Sequence, residues 1–310
     1  MRITEPLKIR NITLQNRIVM PPMDRSSSMD GSVNDDLIDH YRERAESTGL
    51  IIIEHEYVSP EGRAHPKQLS MAGDEVIEGY RKLADAIHLE GSYAIAQISH
   101  AGFEAKVENP LNVNAMTLDD ITHVRESFIK AALRTEKAGF DGVEIHCAHG
   151  YLLNQFYSPY TNKRTDDYGG SLLNRSRLTN EIIRGMREAL GEDYIIAVRF
   201  GAYDYLDGGS RLEDIGEAVM SFENSGVDLL DISGGLCRFK NPLSKEPGWF
   251  KELSKIARDA SNCPVILTGG VKKIADAEAL LEGGYADLIG IGRAMLMDAK
   301  WSRKALVGID

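Results

Sequence analysis

Histidines 146 and 149 stand three residues apart in VEIHCAHGYLLNQF (143–156), and Tyr151 follows two positions later. An imidazole can donate, accept or ligate a metal, and a phenol is a weak acid that holds its proton at neutral pH. Three readings suit this set. One is a metal centre, with His146, His149, His100 and His55 around zinc and Glu54 or Asp24 as the acidic partner. Another is carbonyl activation, in which two imidazoles donate to one substrate oxygen and Tyr151 supplies a proton. The third is a polar loop with no chemistry. Against the metal, an HxxH at the end of an apolar run does not place both rings as HExxH on a helix does.

Other polar residues end short apolar runs in the same way. Met23, Asp24 and Arg25 follow RIVMPP; His55 and Glu56 follow LIIIE; Gln97 lies within YAIAQIS and Arg199 within YIIAVRF. A Gln amide and an Arg fork could read a planar ring with adjacent C=O and N–H groups, or each could satisfy a neighbouring carboxylate. Gly269 and Gly270 (TGG) and Gly292 and Arg293 (GIGR) are glycine turns leading into helical patterns. Free N–H groups there, with the Arg293 charge, suit a phosphate.

The elements that must position these residues recur along the chain. A helical pattern ends near a glycine and an apolar run follows, at ESTGLIIIE, EKAGFDGVEI, ENSGVDLLDI and EGGYADLIGI. Gly49, Gly139, Gly226 and Gly284 suit the left-handed residue past a helix end. The runs are apolar on both faces, as buried parallel strands are. RIVMPP, YAIAQIS, YIIAVRF and PVILTGG bring the strands to eight, with helical patterns between them. This alternation predicts a single (β/α)8 barrel domain over 1–310, with chemistry at the C-terminal strand ends. An open doubly wound sheet is the alternative, but Pro21-Pro22 stands where its phosphate turn would need N–H donors. LKIRNITL predicts a small N-terminal hairpin turning at Arg10-Asn11 and closing the barrel bottom.

Composition excludes several classes. The 310 residues are 43% hydrophobic and 27% charged, ordinary for a globular protein. A net charge of −11 argues against nucleic acid and an anionic membrane. Cys147, Cys237 and Cys263 are far apart and make no zinc spacing, so a reducing compartment is expected. With no signal-like start and no membrane-length apolar run, a cytoplasmic protein is expected.

The segment VEIHCAHGYLLNQFYSPYTNKRTDDYGGSLLNRSR (143–177) resembles the Old Yellow Enzyme family of FMN-dependent ene reductases. So do PLKIRNITLQNRIVMPPM (6–23), AIAQISHAG (94–102), LTGGV (267–271) and LIGIGRAML (288–296). The similarity runs in order over nearly the whole chain. It implies FMN at the barrel mouth, with NADH or NADPH as electron donor. Gln97 and Arg199 would bind the flavin pyrimidine ring. Gly269, Gly270, Gly292 and Arg293 would hold the phosphate end, and Pro22 and Met23 would flank the ring. His146 and His149 would grip the activating carbonyl of a small-molecule substrate, and Tyr151 would protonate its α-carbon. Hydride would pass through the flavin to the β-carbon.

Three features depart from the family pattern. Asp24 stands where Thr or Cys is common, close to the flavin. The segment after HAG, FEAKVENPLNVNAMTLDD, is short, which predicts a more open mouth. No iron–sulfur cluster or second nucleotide-binding domain follows strand eight, which predicts a single-flavin enzyme. His55, where small residues are common, would pack against the flavin. The resemblance leaves monomer and homo-oligomer both open. The competing functions are a metal-dependent barrel lyase or hydrolase, and a flavin-binding protein with little turnover.

Overall fold

The structure, a computed structural model, describes residues 2–308. The chain opens on the expected hairpin, β1 (Leu7–Ile9) and β2 (Ile12–Leu14), antiparallel and turning at Arg10, whose φ is 52°. Nine parallel strands follow: β3 (Ile18–Met20), β4 (Leu50–Tyr57), β5 (Leu69–Ser70), β6 (Tyr93–Ser99), β7 (Gly142–Cys147), β8 (Ile195–Tyr203), β9 (Leu229–Gly234), β10 (Val265–Thr268) and β11 (Leu288–Gly290). Strand β3 pairs with both β11 and β4, so eight strands close into a barrel and β5 attaches to β4 outside the ring. The helices are α1 (Asp35–Ala45), α2 (Ile77–Leu89), α3 (Leu118–Lys137), α4 (Leu152–Tyr157), α5 (Leu172–Leu190), α6 (Asp214–Ser225), α7 (Lys251–Ala260), α8 (Ile274–Glu282), α9 (Arg293–Met297) and α10 (Trp301–Leu306). None is long and apolar enough to cross a membrane.

Local sequence explains the element ends. Asn34 caps α1 by accepting from the Leu37 N–H, and Thr117 with Asp120 forms a reciprocal capping box on α3. Gly226 takes the left-handed position after α6, as its place past the helix predicts. Gly49 does not. Ser47 carries the positive φ, 65°, and Gly49 is required for another reason: a Cβ there would lie 2.4 Å from the Asn16 carbonyl oxygen. The glycine serves a close approach of two backbones rather than a turn.

The barrel interior is layered. Val19, Leu50, Ile52, Ile95, Ile195, Ala197, Leu229, Ile266 and Leu288 form a sealed apolar layer with Ile9, Ile12 and Leu14 of the hairpin. A second, larger cluster packs the outward strand faces against the helices. Side chains alternate along a strand, so two residues beyond the apolar layer the inward positions become polar. There stand Gln97, Glu144, Arg199 and Asp231, none more than 4% exposed. One step further come His146 on β7 and Ser233 on β9, at the mouth. The hairpin plugs one end, and the polar layers face the other.

Candidate active site

At the C-terminal mouth lies a cavity of about 400 Å3. Its walls bring together nearly every residue singled out by sequence: Pro22, Met23, Asp24, His55, His146, His149, Tyr151, Arg199, Gly269, Gly270, Gly292 and Arg293. Among the residues expected to hold the flavin or the substrate, Gln97 is the exception. It does not line the cavity, and its Nε2 donates to Glu144 Oε1 at 2.7 Å.

His146, His149 and Tyr151 form one aromatic group. The His146 ring centroid lies 5.0 Å from that of His149 and 5.0 Å from that of Tyr151, both edge-on. The backbone turn Ala148-His149-Gly150 makes this possible, with His149 at φ 61° and Gly150 at φ 80°. Asn154 Oδ1 accepts the Gly150 N–H, and Gln155 Nε2 donates to the Gly150 carbonyl, so the first turn of α4 fixes the loop. A non-glycine residue with positive φ is strained and persists where surrounding contacts impose it. His149 Nε2 lies 2.7 Å from Ser233 Oγ, while buried His146 Nδ1 has no partner among the described residues.

Burial sets the charge states. It pushes both imidazoles well below their ordinary range, with neighbouring histidines and Arg199 adding to the effect. Both rings are therefore neutral near pH 7. Burial pushes the Tyr151 phenol up to about 12, with the Asp24 charge raising it further, so Tyr151 keeps its proton. Asp24 behaves oppositely. Burial pushes its carboxyl up, but His55, the Ser26 N–H and His65 outweigh this and hold it below its ordinary value. Asp24 Oδ1 accepts the Ser26 N–H at 2.8 Å, and His65 Nε2 lies 2.8 Å from Oδ2. The backbone N–H of Arg25 donates to Glu54 Oε2 at 3.1 Å.

Beneath the mouth, Arg199 Nη1 lies 3.3 Å from Asp231 Oδ2, and buried Arg199 Nε has no partner among the described residues. Burial raises the Asp231 carboxyl to about 6 against the opposing pull of Arg199. On the far wall the glycines are obligatory. A Cβ on Gly290 would sit 1.9 Å from Thr268 Oγ1, and one on Gly269 would sit 2.6 Å from the Trp249 ring.

Sequence reasoning missed the wall formed by Arg238, Phe239, Trp249 and Phe250. Trp249 lies against Gly269 and Gly270, and the Arg293 guanidinium stands over its ring, 5.2 Å from the centroid. The Gly248 N–H donates to the Gly269 carbonyl at 2.6 Å, which ties this loop to the turn after β10. The one local signal was the PGW turn in a chain with two tryptophans. The four-histidine metal arrangement is not what the fold assembles. His100 lies outside the cavity with its Nδ1 accepting the Gly102 N–H, and the metal-compatible grouping among the described residues is Asp24, His55 and His65.

Comparison with known proteins identifies the family. The sequence profile of the NADH:flavin oxidoreductase / NADH oxidase family matches residues 2–114 and 109–310. An NADH oxidase of Thermoanaerobacter brockii is 37% identical over 325 residues, which take in 97% of this chain and 50% of that protein. NADPH dehydrogenases of Halalkalibacterium halodurans and Bacillus subtilis are 38% and 36% identical, covering 96% and 98% of this chain and 91% and 94% of their own lengths. The chain thus spans half of the NADH oxidase and about nine-tenths of the two dehydrogenases. A solved 2-naphthoyl-CoA reductase in complex with 2-naphthoyl-CoA superposes with a TM-score of 0.93 at 27% identity, over 99% of this chain and 52% of that one. Morphinone reductase shares the fold, with a TM-score of 0.88 at 24% identity over 100% of this chain and 90% of its own. The chain belongs to the NADH:flavin oxidoreductase / NADH oxidase family, the Old Yellow Enzyme-like flavoproteins built on a TIM barrel.

Proposed function

We propose that this protein is an FMN-dependent oxidoreductase that uses NADH or NADPH to reduce the C=C bond of an α,β-unsaturated carbonyl compound. The residues present fit the cofactor. Gly269, Gly270 and Gly290 leave a wall with no room for side chains, Gly292 continues it, and Arg293 and Lys272 bring positive charge to it. That end suits a single phosphate, and Arg199, with a buried unpartnered Nε, suits a ring acceptor. A cavity of about 400 Å3 sits low in the range of ligand pockets, which favours a mononucleotide over a dinucleotide. When bound, the flavin supplies the hydride that NAD(P)H provides and that the alkene β-carbon receives.

The observation that carries the reading is the trio His146, His149 and Tyr151 in one buried cluster with two neutral rings and a protonated phenol. Neutral imidazoles donate to a carbonyl oxygen without surrendering a proton. As hydride arrives at the β-carbon, negative charge grows on that oxygen, and fixed N–H donors stabilise it more than they stabilise the resting carbonyl. Tyr151 holds the proton that completes reduction at the α-carbon. Met23, Phe239, Trp249 and Leu296 give the site apolar walls. The 2-naphthoyl-CoA reductase carries a name consistent with a carbonyl-conjugated substrate, which adds support.

The test is a visible spectrum of the purified protein, then anaerobic NADH or NADPH, then cyclohexenone. The flavin bands should bleach and return on addition of the enone. A Tyr151→Phe variant should slow the second step far more than the first, by about a hundredfold for a lost general acid. A protein that binds no flavin, or equal slowing of both steps, would reject the assignment.

A further inference from the structure

A third imidazole faces the cavity, and its protonation is legible from its surroundings. His55 lines the mouth beside the two histidines described above. Its ring is nearly parallel to that of His146, with centroids 6.0 Å apart and planes at 25°, and it meets Tyr151 edge-on at 5.4 Å. A ring nitrogen of His55 lies within 4.8 Å of ligating atoms of Asp24 and His65. This is the geometry of a cation site, and also of a hydrogen-bonding one. The tautomer of His55 decides between them.

Gln68 fixes that tautomer. It is 1% exposed, on the turn before β5. Its Oε1 accepts the Ala64 N–H at 2.6 Å. Its Nε2 lies 2.7 Å from His55 Nδ1, 3.3 Å from the His55 carbonyl and 3.2 Å from Ser99 Oγ. Rotating the amide would set two N–H groups against each other at Ala64 and an oxygen against the His55 carbonyl. The amide is therefore locked, and it offers a donor to Nδ1. A neutral imidazole carries one proton, so with Nδ1 accepting, the proton resides on Nε2. Burial lowers the imidazolium's stability, to a pKa of about 4, so the ring is neutral near pH 7. Among the described residues no group bonds Nε2, and it is not a buried unpartnered atom, so it opens onto the cavity. A protonated nitrogen cannot ligate a metal, and a metal-bound histidine has its other nitrogen donating rather than accepting.

We infer that His55 is a fixed hydrogen-bond donor of the active site, its Nε2–H aimed into the cavity by Gln68, and that it selects substrates bearing a second, uncharged acceptor oxygen. This rests on the reading of His146 and His149 as the grip on the first carbonyl. Two donor faces on nearly parallel rings would then hold an alkene flanked by two carbonyls. The second group is uncharged because the Asp24 carboxylate stands beside His55 and would repel a carboxylate. An ene-dione fits this description; an unsaturated dicarboxylate does not.

The test has two parts. The first is histidine 15N–1H correlation spectroscopy on the flavin-loaded wild-type protein, which reports the tautomer without turnover. His55, assigned by loss of its signals in His55→Phe, should show a bare Nδ1 and a protonated Nε2. The opposite tautomer would overturn the inference, as would stoichiometric zinc binding that disappears in His65→Ala, since zinc needs a bare Nε2. The second compares 2,6,6-trimethylcyclohex-2-ene-1,4-dione with the mono-enone of the same ring. In His55→Phe the preference in kcat/KM for the dione should fall about tenfold, the worth of one hydrogen bond. An unchanged preference with flavin still bound would overturn it. If wild-type protein reduces neither compound, the reductase reading fails by itself. The tautomer, with the dione's affinity read from the flavin spectrum, then still decides the role of His55: affinity lost in His55→Phe supports it, and affinity kept overturns it.

Discussion

Replacing Glu144 with Gln should remove a pH-dependent penalty from the barrel interior. Glu144 is fully buried, its Oε1 accepts from Gln97 at 2.7 Å, and its Oε2 has no partner among the described residues. Burial pushes its carboxyl up to about 8, and the Asp231 charge adds to this while Arg199 and Gln97 oppose it. In the unfolded chain the group titrates near 4.3. Between those two values the folded protein holds a proton that the unfolded chain has released. The folded state therefore binds more protons, and stability falls as pH rises through this window. The slope for one proton is about 1.4 kcal/mol per pH unit. Gln keeps the shape and the acceptor for Gln97 but does not titrate. The stability advantage of Glu144→Gln should therefore grow by about 2 kcal/mol between pH 5.5 and 7.0. Glu54 and Glu56, also raised by burial, tilt both proteins alike, so only the difference matters. Urea unfolding of the two proteins at several pH values measures it. Parallel stability profiles would refute the reasoning, because Glu144 would then be ionised inside the barrel.

Three further predictions concern the site. The double variant His146→Ala/His149→Ala should weaken binding of a phenol by about a hundredfold, as two hydrogen bonds are lost, while flavin stays bound; unchanged affinity in a titration of the flavin spectrum would remove the grip from these residues. Asp24→Thr should raise the flavin potential, because the Asp24 carboxylate opposes negative charge on a reduced ring. Each 1.4 kcal/mol of relieved repulsion is worth about 30 mV for two electrons, and spectroelectrochemistry showing no rise would refute it. Gly290→Ala forces a methyl against Thr268 at 1.9 Å, so it should destabilise the protein by about 1–3 kcal/mol and weaken flavin retention; a variant as stable as wild type by thermal unfolding would show that the wall yields.

The barrel was legible in the sequence because its signals are local. Apolar runs such as LIIIE and YIIAVRF can be buried on both faces only as interior strands, and eight of them alternating with amphipathic helices leave few architectures. The hairpin at Arg10 and the gathering of Asp24, His146, Tyr151 and Arg293 at one mouth follow from strand ends alone. What stayed hidden depends on partners distant in sequence. Spacing left Gln97 open between a planar ring and a neighbouring carboxylate, and its partner on the next strand, Glu144, shows only in the fold. The role of Gly49 depends on Asn16, not on its own helix end. Trp249 enters the site because Gly248 bonds Gly269, a contact that no periodicity announces. Gln68 is a polar residue in an unremarkable turn until three acceptors and Ala64 are placed around it.

The closure of the ring through β3 carries a consequence for how this chain is made. Strand β3 has three residues, and they bridge β4 on one side and β11 on the other. On the ribosome, β3 and β4 emerge early and β11 emerges after some 230 further residues, roughly 12–46 seconds at ordinary elongation rates. Throughout that interval the outer edge of β3 is an open row of unpaired backbone groups next to the apolar layer that Leu288 will seal. A nascent chain stalled before β11 should therefore associate with itself or recruit a chaperone, and release of the last strands should end that exposure.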